Sequence, residues 1–424
     1  MYKKSEQLLD RALKSIPLAS QTFSKSLTQY PKGVSPFFIE KGNGAKIWDV
    51  DGNEYIDFVN SLASVTLGYC DKDVDQAVQE QIQNGVTFSL PHILEMEVAE
   101  KLIEIIPCAE KVRFAKNGTD ATSASIRIAR AYTGKEHIAV CGYHGWQDWY
   151  IGSTTRDLGV PNSVKDLTHK FEYNNLESLK KIFQDNELAC VIMEPMNIEY
   201  PEDNFLEKVK ELTHKNKALL IFDEMLTGFR YSLGGAQELF GVFPDLATFG
   251  KGMANGYPLS ALVGSNKVMR IVEDIFFSGT FGGETLSLAA ASAVIDKYKK
   301  FQVIEHFSEI GTYLLERLNR LINDNSLADI FWTSGLPAWS FLHIKEQEKY
   351  NTFEIKTFFL QEMFKRGFLT LGAHNLSYSH TKNEIDELLE AYADVLPMIK
   401  SNIDNQTLLE NIHGEILEPL FKVR

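Results

Sequence analysis

The chain has 424 residues, 44% of them hydrophobic, and a formal net charge of −14. That length exceeds one simple core and suggests two or three domains at roughly 150 residues each. The acidic balance offers no basic face for phosphate backbones or anionic lipid, so neither nucleic acid nor membrane is an expected partner.

The first stretch, MYKKSEQLLDRALKSI, alternates charged and apolar residues at helical spacing. It lacks the apolar centre of an export signal, and no run in the chain reaches about 18 apolar residues. The four cysteines, Cys70, Cys108, Cys141 and Cys190, show no CxxC spacing, and the last two sit in apolar strand-like runs. A reduced, cytoplasmic setting is expected. Residues 45–59 read as two strands around an Asp-Gly turn. The spacing of Asp49, Asp51 and Asn53 invites a calcium-loop reading, which fails because Glu54 stands where a glycine is needed and Asn60 where a bidentate carboxylate is needed. No metal site is expected.

From about residue 72 to 300 helical and strand-like stretches alternate. The runs HIAVCGYHG, LACVIMEP, ALLIFDEM, DLATFG and SALVG are separated by helical stretches such as 176–186 and 203–216. This pattern predicts a mostly parallel sheet with helices on both faces. Ligands bind at the C-terminal ends of such strands, where this chain carries Tyr143-His144, Glu194, Asp223 and Lys251. Beyond residue 301 amphipathic helices flank the strand-like AWSFLHI, predicting a smaller α+β domain. The expected organisation is an N-terminal helix and hairpin, 1–60, belonging to the small domain, a large ligand-binding domain, 61–300, and a C-terminal small domain, 301–424.

Lys251 stands between Gly250 and Gly252. An ε-amine at a dry pocket edge loses part of its preference for charge and becomes a nucleophile toward an aldehyde, and flanking glycines let a flat ring approach the backbone. Alone, such a lysine reads rather as a surface residue in a glycine turn. Asp223 ends an apolar strand, and a carboxylate there needs a cation or several donors; a pyridinium N–H is one such partner. Gly118-Thr119 and Gly279-Thr280 each precede a helix-forming stretch, so backbone N–H groups and a hydroxyl are available to a phosphate, although either pair alone reads as a plain helix cap. Tyr143 offers an aromatic face to a flat ring, or to the core. Together these residues describe pyridoxal 5′-phosphate.

At this point the chain resembles the class III pyridoxal-phosphate aminotransferases, and most closely the glutamate-1-semialdehyde 2,1-aminomutase branch. The stretches that carry the likeness are IWDVDGNEYIDF, NGTDATSASIRIARAYTG, YHGWQDW, MEP, FDEMLTGFR, PDLATFGKGMANGYPLSALVG and SGTFGGETLSLAAA. The resemblance implies an α/β, aspartate-aminotransferase-like (fold type I) large domain that binds the cofactor, plus a smaller α+β domain. It implies that Lys251 forms the Schiff base and later shuttles protons, and that Asp223 pairs with the ring nitrogen. Gly118 and Thr119 would bind phosphate, Thr280 would reach the phosphate of a neighbouring subunit, and Tyr143 and Met225 would lie on opposite ring faces. Glu194 would have an active-site part. A homodimer with shared active sites follows from the resemblance alone.

The chain also departs from that branch. Lys25 stands where the aminomutases carry a substrate-clamping arginine, a point charge in place of a planar fork. LGAHNLSYSH places His374 and Asn375 where they carry a glutamate, EPMNIEYP leaves Glu199 without a role, and Arg230 is shared. These departures favour transamination from an amino donor, glutamate among the candidates, to an aldehyde or ketone acceptor, with Lys25 and His374 expected on the substrate. Intramolecular aminomutase chemistry is the alternative, and a non-catalytic cofactor-binding scaffold the alternative of another class. Trp146, Trp149 and His92 are expected near the pocket mouth, which suits a sugar-like acceptor. A nicotinamide dehydrogenase is disfavoured because no GxGxxG follows a first strand.

Overall fold

A computed structural model describes residues 1–418. The described residues divide into two compact units, one made of Met1–Asp71 with residues 305–418, the other of Lys72–Ile304.

The first unit opens with the helix Lys3–Ala12. The Asp51 carboxylate accepts from the Lys4 and Ser5 amides at 2.7 and 2.9 Å, satisfying donors that a first helical turn leaves free. Strands β1 (Ile39–Asn43), β2 (Lys46–Asp49) and β3 (Glu54–Asp57) pair antiparallel. Between β2 and β3, Asp49 Oδ1 accepts from the Asp51 and Asn53 amides at 3.0 and 2.8 Å. The acidic stretch is thus an Asx turn closing the predicted hairpin.

Residues Asn60, Ser61, Leu62 and Ala63 follow with φ of 46, 49, 60 and 66°, four consecutive non-glycine residues in the left-handed region. That conformation costs an L-residue about 1–2 kcal/mol, so neighbours must impose it. Asp57 Oδ1 accepts from the Val59 and Asn60 amides at 2.7 and 3.0 Å, and Asn375 Nδ2 donates to the Val59 carbonyl at 2.9 Å.

The second unit carries a seven-stranded sheet: β4 (Lys111–Ala115), β5 (His137–Cys141), β6 (Thr168–Lys170), β7 (Leu188–Met193), β8 (Leu219–Asp223), β9 (Leu246–Phe249) and β10 (Ser260–Gly264). Their order is β4-β10-β9-β8-β7-β5-β6, parallel from β9 to β6, with β10 antiparallel to both β9 and β4. Every residue of β7, β8, β9 and β10 is buried, which explains their unbroken apolar sequences: helices cover both faces. The helix Gly118–Thr133 places Ala121, Ala124, Ile128 and Ala129 in one core with Val140, Ile192, Ile221 and Leu262.

Back in the first unit, β11 (Phe331–Leu336) and β12 (Trp339–Ile344) form a hairpin, β13 (Phe368–Leu369) runs parallel to β3, and β14 (Ala373–Asn375) pairs with β12. Gly311, in the helix Val303–Asp324, has no room for a side chain, since a Cβ there would lie 1.9 Å from the Pro337 carbonyl oxygen.

Candidate active site

Strands β9, β8, β7 and β5 are successive neighbours, and each carries one of the predicted polar residues at or just beyond its C-terminal end. Parallel neighbours stand about 4.8 Å apart, so this order alone brings Lys251, Asp223, Glu194 and Tyr143-His144 into one row.

Lys251 begins a short 3-10 turn, Lys251–Ala254, with its own φ at +43°. Withdrawal from water pushes its ammonium toward the neutral form, Glu194 and Asp223 oppose that shift, and the Arg230 guanidinium reinforces it. Beside it, a Cβ on Gly250 would meet Met225 Sδ at 2.7 Å. A Cβ on Gly118 would meet the same sulfur at 2.9 Å, so both glycines make room for Met225.

Asp223 is 2% exposed and held on both oxygens. Oδ1 accepts from the Met225 amide and the Thr248 hydroxyl, each at 3.2 Å, and Oδ2 lies 2.8 Å from His144 Nδ1. His144 Nε2 lies 3.1 Å from the Cys141 carbonyl oxygen, so both ring nitrogens face acceptors. The sequence places His144 at a strand end without pairing it with Asp223; the signal available was that a carboxylate ending a buried strand needs a partner.

Thr119 lies in the first turn of the helix Gly118–Thr133, and its buried Oγ1 has no hydrogen-bond partner among the described residues. Gly145, at φ +109°, stands against it, where a Cβ would come within 2.4 Å of that oxygen. An orphaned hydroxyl at a helix start with backbone N–H groups alongside fits the phosphate of pyridoxal 5′-phosphate. Lys251 and Asp223 fit its aldehyde and its ring nitrogen. Tyr143 is half-exposed, set edge-on to Tyr150 at 5.6 Å.

Thr280 is exposed and lines a cavity of about 370 Å³ with Phe114, Ser123, Arg127 and Phe281. In the first unit, exposed Lys25 lies 3.3 Å from Ser61 Oγ, at a cavity of about 390 Å³ lined also by Tyr30, Phe38, Asp57 and Tyr69. His374 is fully buried, its Nδ1 2.9 Å from Ser340 Oγ and its Nε2 2.9 Å from the Tyr392 hydroxyl, which leaves no free ring nitrogen for a substrate. Its surroundings correct the expected substrate contact to a core role. Trp149 is likewise buried, donating to Ser123 Oγ at 2.9 Å, and His92 caps the helix Ile93–Ile105 while stacking on Phe88. Trp146 is exposed, as is Glu199. Arg230 is 1% exposed and lies within the loop after β8.

The family model described as "Aminotransferase class-III" matches residues 29–396. The chain is 34% identical to the 3-aminobutyryl-CoA aminotransferase of Cloacimonas acidaminovorans (strain Evry), over 94% of this chain and 97% of that protein. It is 39% identical to glutamate-1-semialdehyde 2,1-aminomutase 2 of Lachnoclostridium phytofermentans, over 76% of this chain and 80% of that protein. Among solved structures, the FumI protein of Sphingopyxis sp. MTA144, in its PLP internal aldimine form, superposes with a TM-score of 0.88 at 27% identity, covering 95% of this chain and 98% of that one.

Two predictions follow from these placements. Thr119→Val removes an orphaned buried hydroxyl, so the cofactor-free protein should melt no lower than the parent. Pyridoxal phosphate affinity, read by absorbance titration, should fall about tenfold or more, the loss of a hydrogen bond to a charged group. Burial pushes the His374 imidazole down to about 3 from its usual 6.5. The unfolded chain therefore takes up a proton that the folded chain refuses. This contribution to stability is complete above pH 6.5 and is lost as pH falls toward 3, by up to about 1.4 kcal/mol per unit. Denaturant unfolding at a series of pH values should show a shallower acid limb for His374→Gln than for the parent.

Proposed function

Because the chain belongs to the class-III aminotransferase family and is a pyridoxal-phosphate-dependent enzyme, we propose that it moves an amino group between two separate small molecules, through the amine of Lys251. The observation that carries this reading is the row of strand ends in which a lysine, made less basic by burial, is coupled to the carboxylates of Asp223 and Glu194. Bound pyridoxal 5′-phosphate supplies a ring that accepts electrons from the substrate carbon. Lys251 presents the nucleophilic amine and holds or releases the proton at its Nζ. Asp223, fixed by His144, Thr248 and the Met225 amide, keeps a negative charge for the ring nitrogen. Thr119 and the helix start at Gly118 would hold the phosphate, and Tyr143 and Met225 would bound the ring.

Transfer between molecules is favoured over the aminomutase reading because Lys25 replaces a planar carboxylate clamp and His374 offers nothing to a substrate. The 39% identity to an aminomutase supports that second reading. For the amino compound, the name of the Cloacimonas relative puts a 3-aminoacyl thioester beside glutamate, and the acceptor class is an aldehyde or ketone, sugar-like carbonyls included. We also infer a homodimer with shared active sites. Supporting it, Leu90, Ile93, Met96, Phe276 and Phe281 are exposed at 78, 58, 53, 82 and 59% on the second unit. Their two segments adjoin, since a Cβ on Gly283 would meet the Glu95 carboxylate at 2.4 Å. Apolar exposure of this extent marks an interaction face, and Thr280 lies within it.

The purified protein should show a visible absorbance band that borohydride abolishes by fixing the cofactor on Lys251, and Lys251→Ala should lack that band. An unchanged spectrum in the variant defeats the assignment. Amino donors should bleach the band and carbonyl acceptors restore it; isomerisation of one amino-aldehyde with no second substrate would instead establish the aminomutase. Sedimentation equilibrium should give the mass of two chains, and Phe281→Asp should shift the population toward one.

A further inference from the structure

Three consecutive residues after β5 are each gripped by a different buried side chain. The Gly142 carbonyl accepts from the Tyr150 hydroxyl at 2.8 Å, the Tyr143 amide donates to Glu194 Oε2 at 3.0 Å, and His144 sits on Asp223. Glu194 is only 6% exposed, and its Oε2 also accepts from Asn197 Nδ2 at 2.9 Å. The site is shaped around this carboxylate: Gly142 takes φ +103°, and a Cβ there would lie 2.4 Å from Glu194 Oε2. No residue other than glycine fits both the backbone and the space.

We infer that Glu194 is a positioning residue: its carboxylate anchors the backbone from which the Tyr143 ring projects, and so sets where that ring stands at the cofactor site. Burying a carboxylate is unfavourable unless donors and a cation repay the lost hydration. Tyr143 and Asn197 supply the donors. The charge of Glu194 favours the Lys251 ammonium, and Asp223 raises the proton affinity of Glu194.

This inference rests on the reading of the row of strand ends as the cofactor site, but its test does not depend on turnover. The parent must first show the borohydride-sensitive band, so a failure of that reading is seen before the variants are compared. Glu194→Gln keeps an acceptor for the Tyr143 amide and removes the charge. Glu194→Leu removes both charge and anchor. Cofactor affinity should be close to the parent's in the Gln variant and at least about tenfold weaker in the Leu variant; equal affinities in the two variants overturn the anchoring duty. Should either variant fail to fold, Asn197→Ala, which withdraws one donor from the same oxygen, should weaken cofactor affinity by a smaller amount. Unchanged affinity there counts equally against the inference.

Discussion

A lysine withdrawn from water in one row with two buried carboxylates is the constraint around which the large sheet is arranged. Removing any one of these charges from solvent is costly, and a buried group left without its counterpart costs several kcal/mol. The sheet solves the problem by placing Lys251, Asp223 and Glu194 at the ends of three adjacent parallel strands, where strand spacing alone brings the charges together. The apolar strands supply the low dielectric that makes each charge felt by the others, and the same burial makes the amine less basic. Stability and reactivity at this site therefore have one source.

The second layer of the site is made of neutral contacts that fix orientation. Thr248, the Met225 amide and His144 leave Asp223 little freedom, while Gly142, Gly145, Gly118 and Gly250 clear the space for Glu194, Thr119 and Met225. Glycine serves here in two ways. Gly142 and Gly145 adopt a left-handed φ, whereas Gly118 and Gly250 matter through the missing Cβ.

Much of this was legible in the sequence because parallel sheets write themselves in contiguous apolar runs ending in polar residues. The order of motifs along β5, β7, β8 and β9 became an order in space. Less legible were contacts that depend on distant partners. His144 stood in view as part of GYHG, but its pairing with Asp223 joins positions 79 apart. His374 looked available because a short polar stretch surrounds it, while the partners that enclose it, Ser340 and Tyr392, come from another strand and a later helix. Trp149 misled for a similar reason: an aromatic residue near a motif has the same spelling whether it faces ligand or core. Nothing in VNSLAS announces a left-handed turn, since no glycine marks it and the carboxylate that enforces it lies upstream at Asp57.

That turn limits how the cavity beside Lys25 can be remodelled by substitution. Ser61 and Leu62 line the cavity from backbone positions where branching at the β-carbon is sterically penalised, so valine, isoleucine and threonine are poor replacements there. Asparagine and aspartate tolerate the conformation best, and glycine would relax it while leaving the wall bare and the unfolded chain freer. The chemical variety this wall can display is accordingly narrow, and change in the cavity's shape is channelled toward its other walls, at Tyr30, Phe38 and Tyr69.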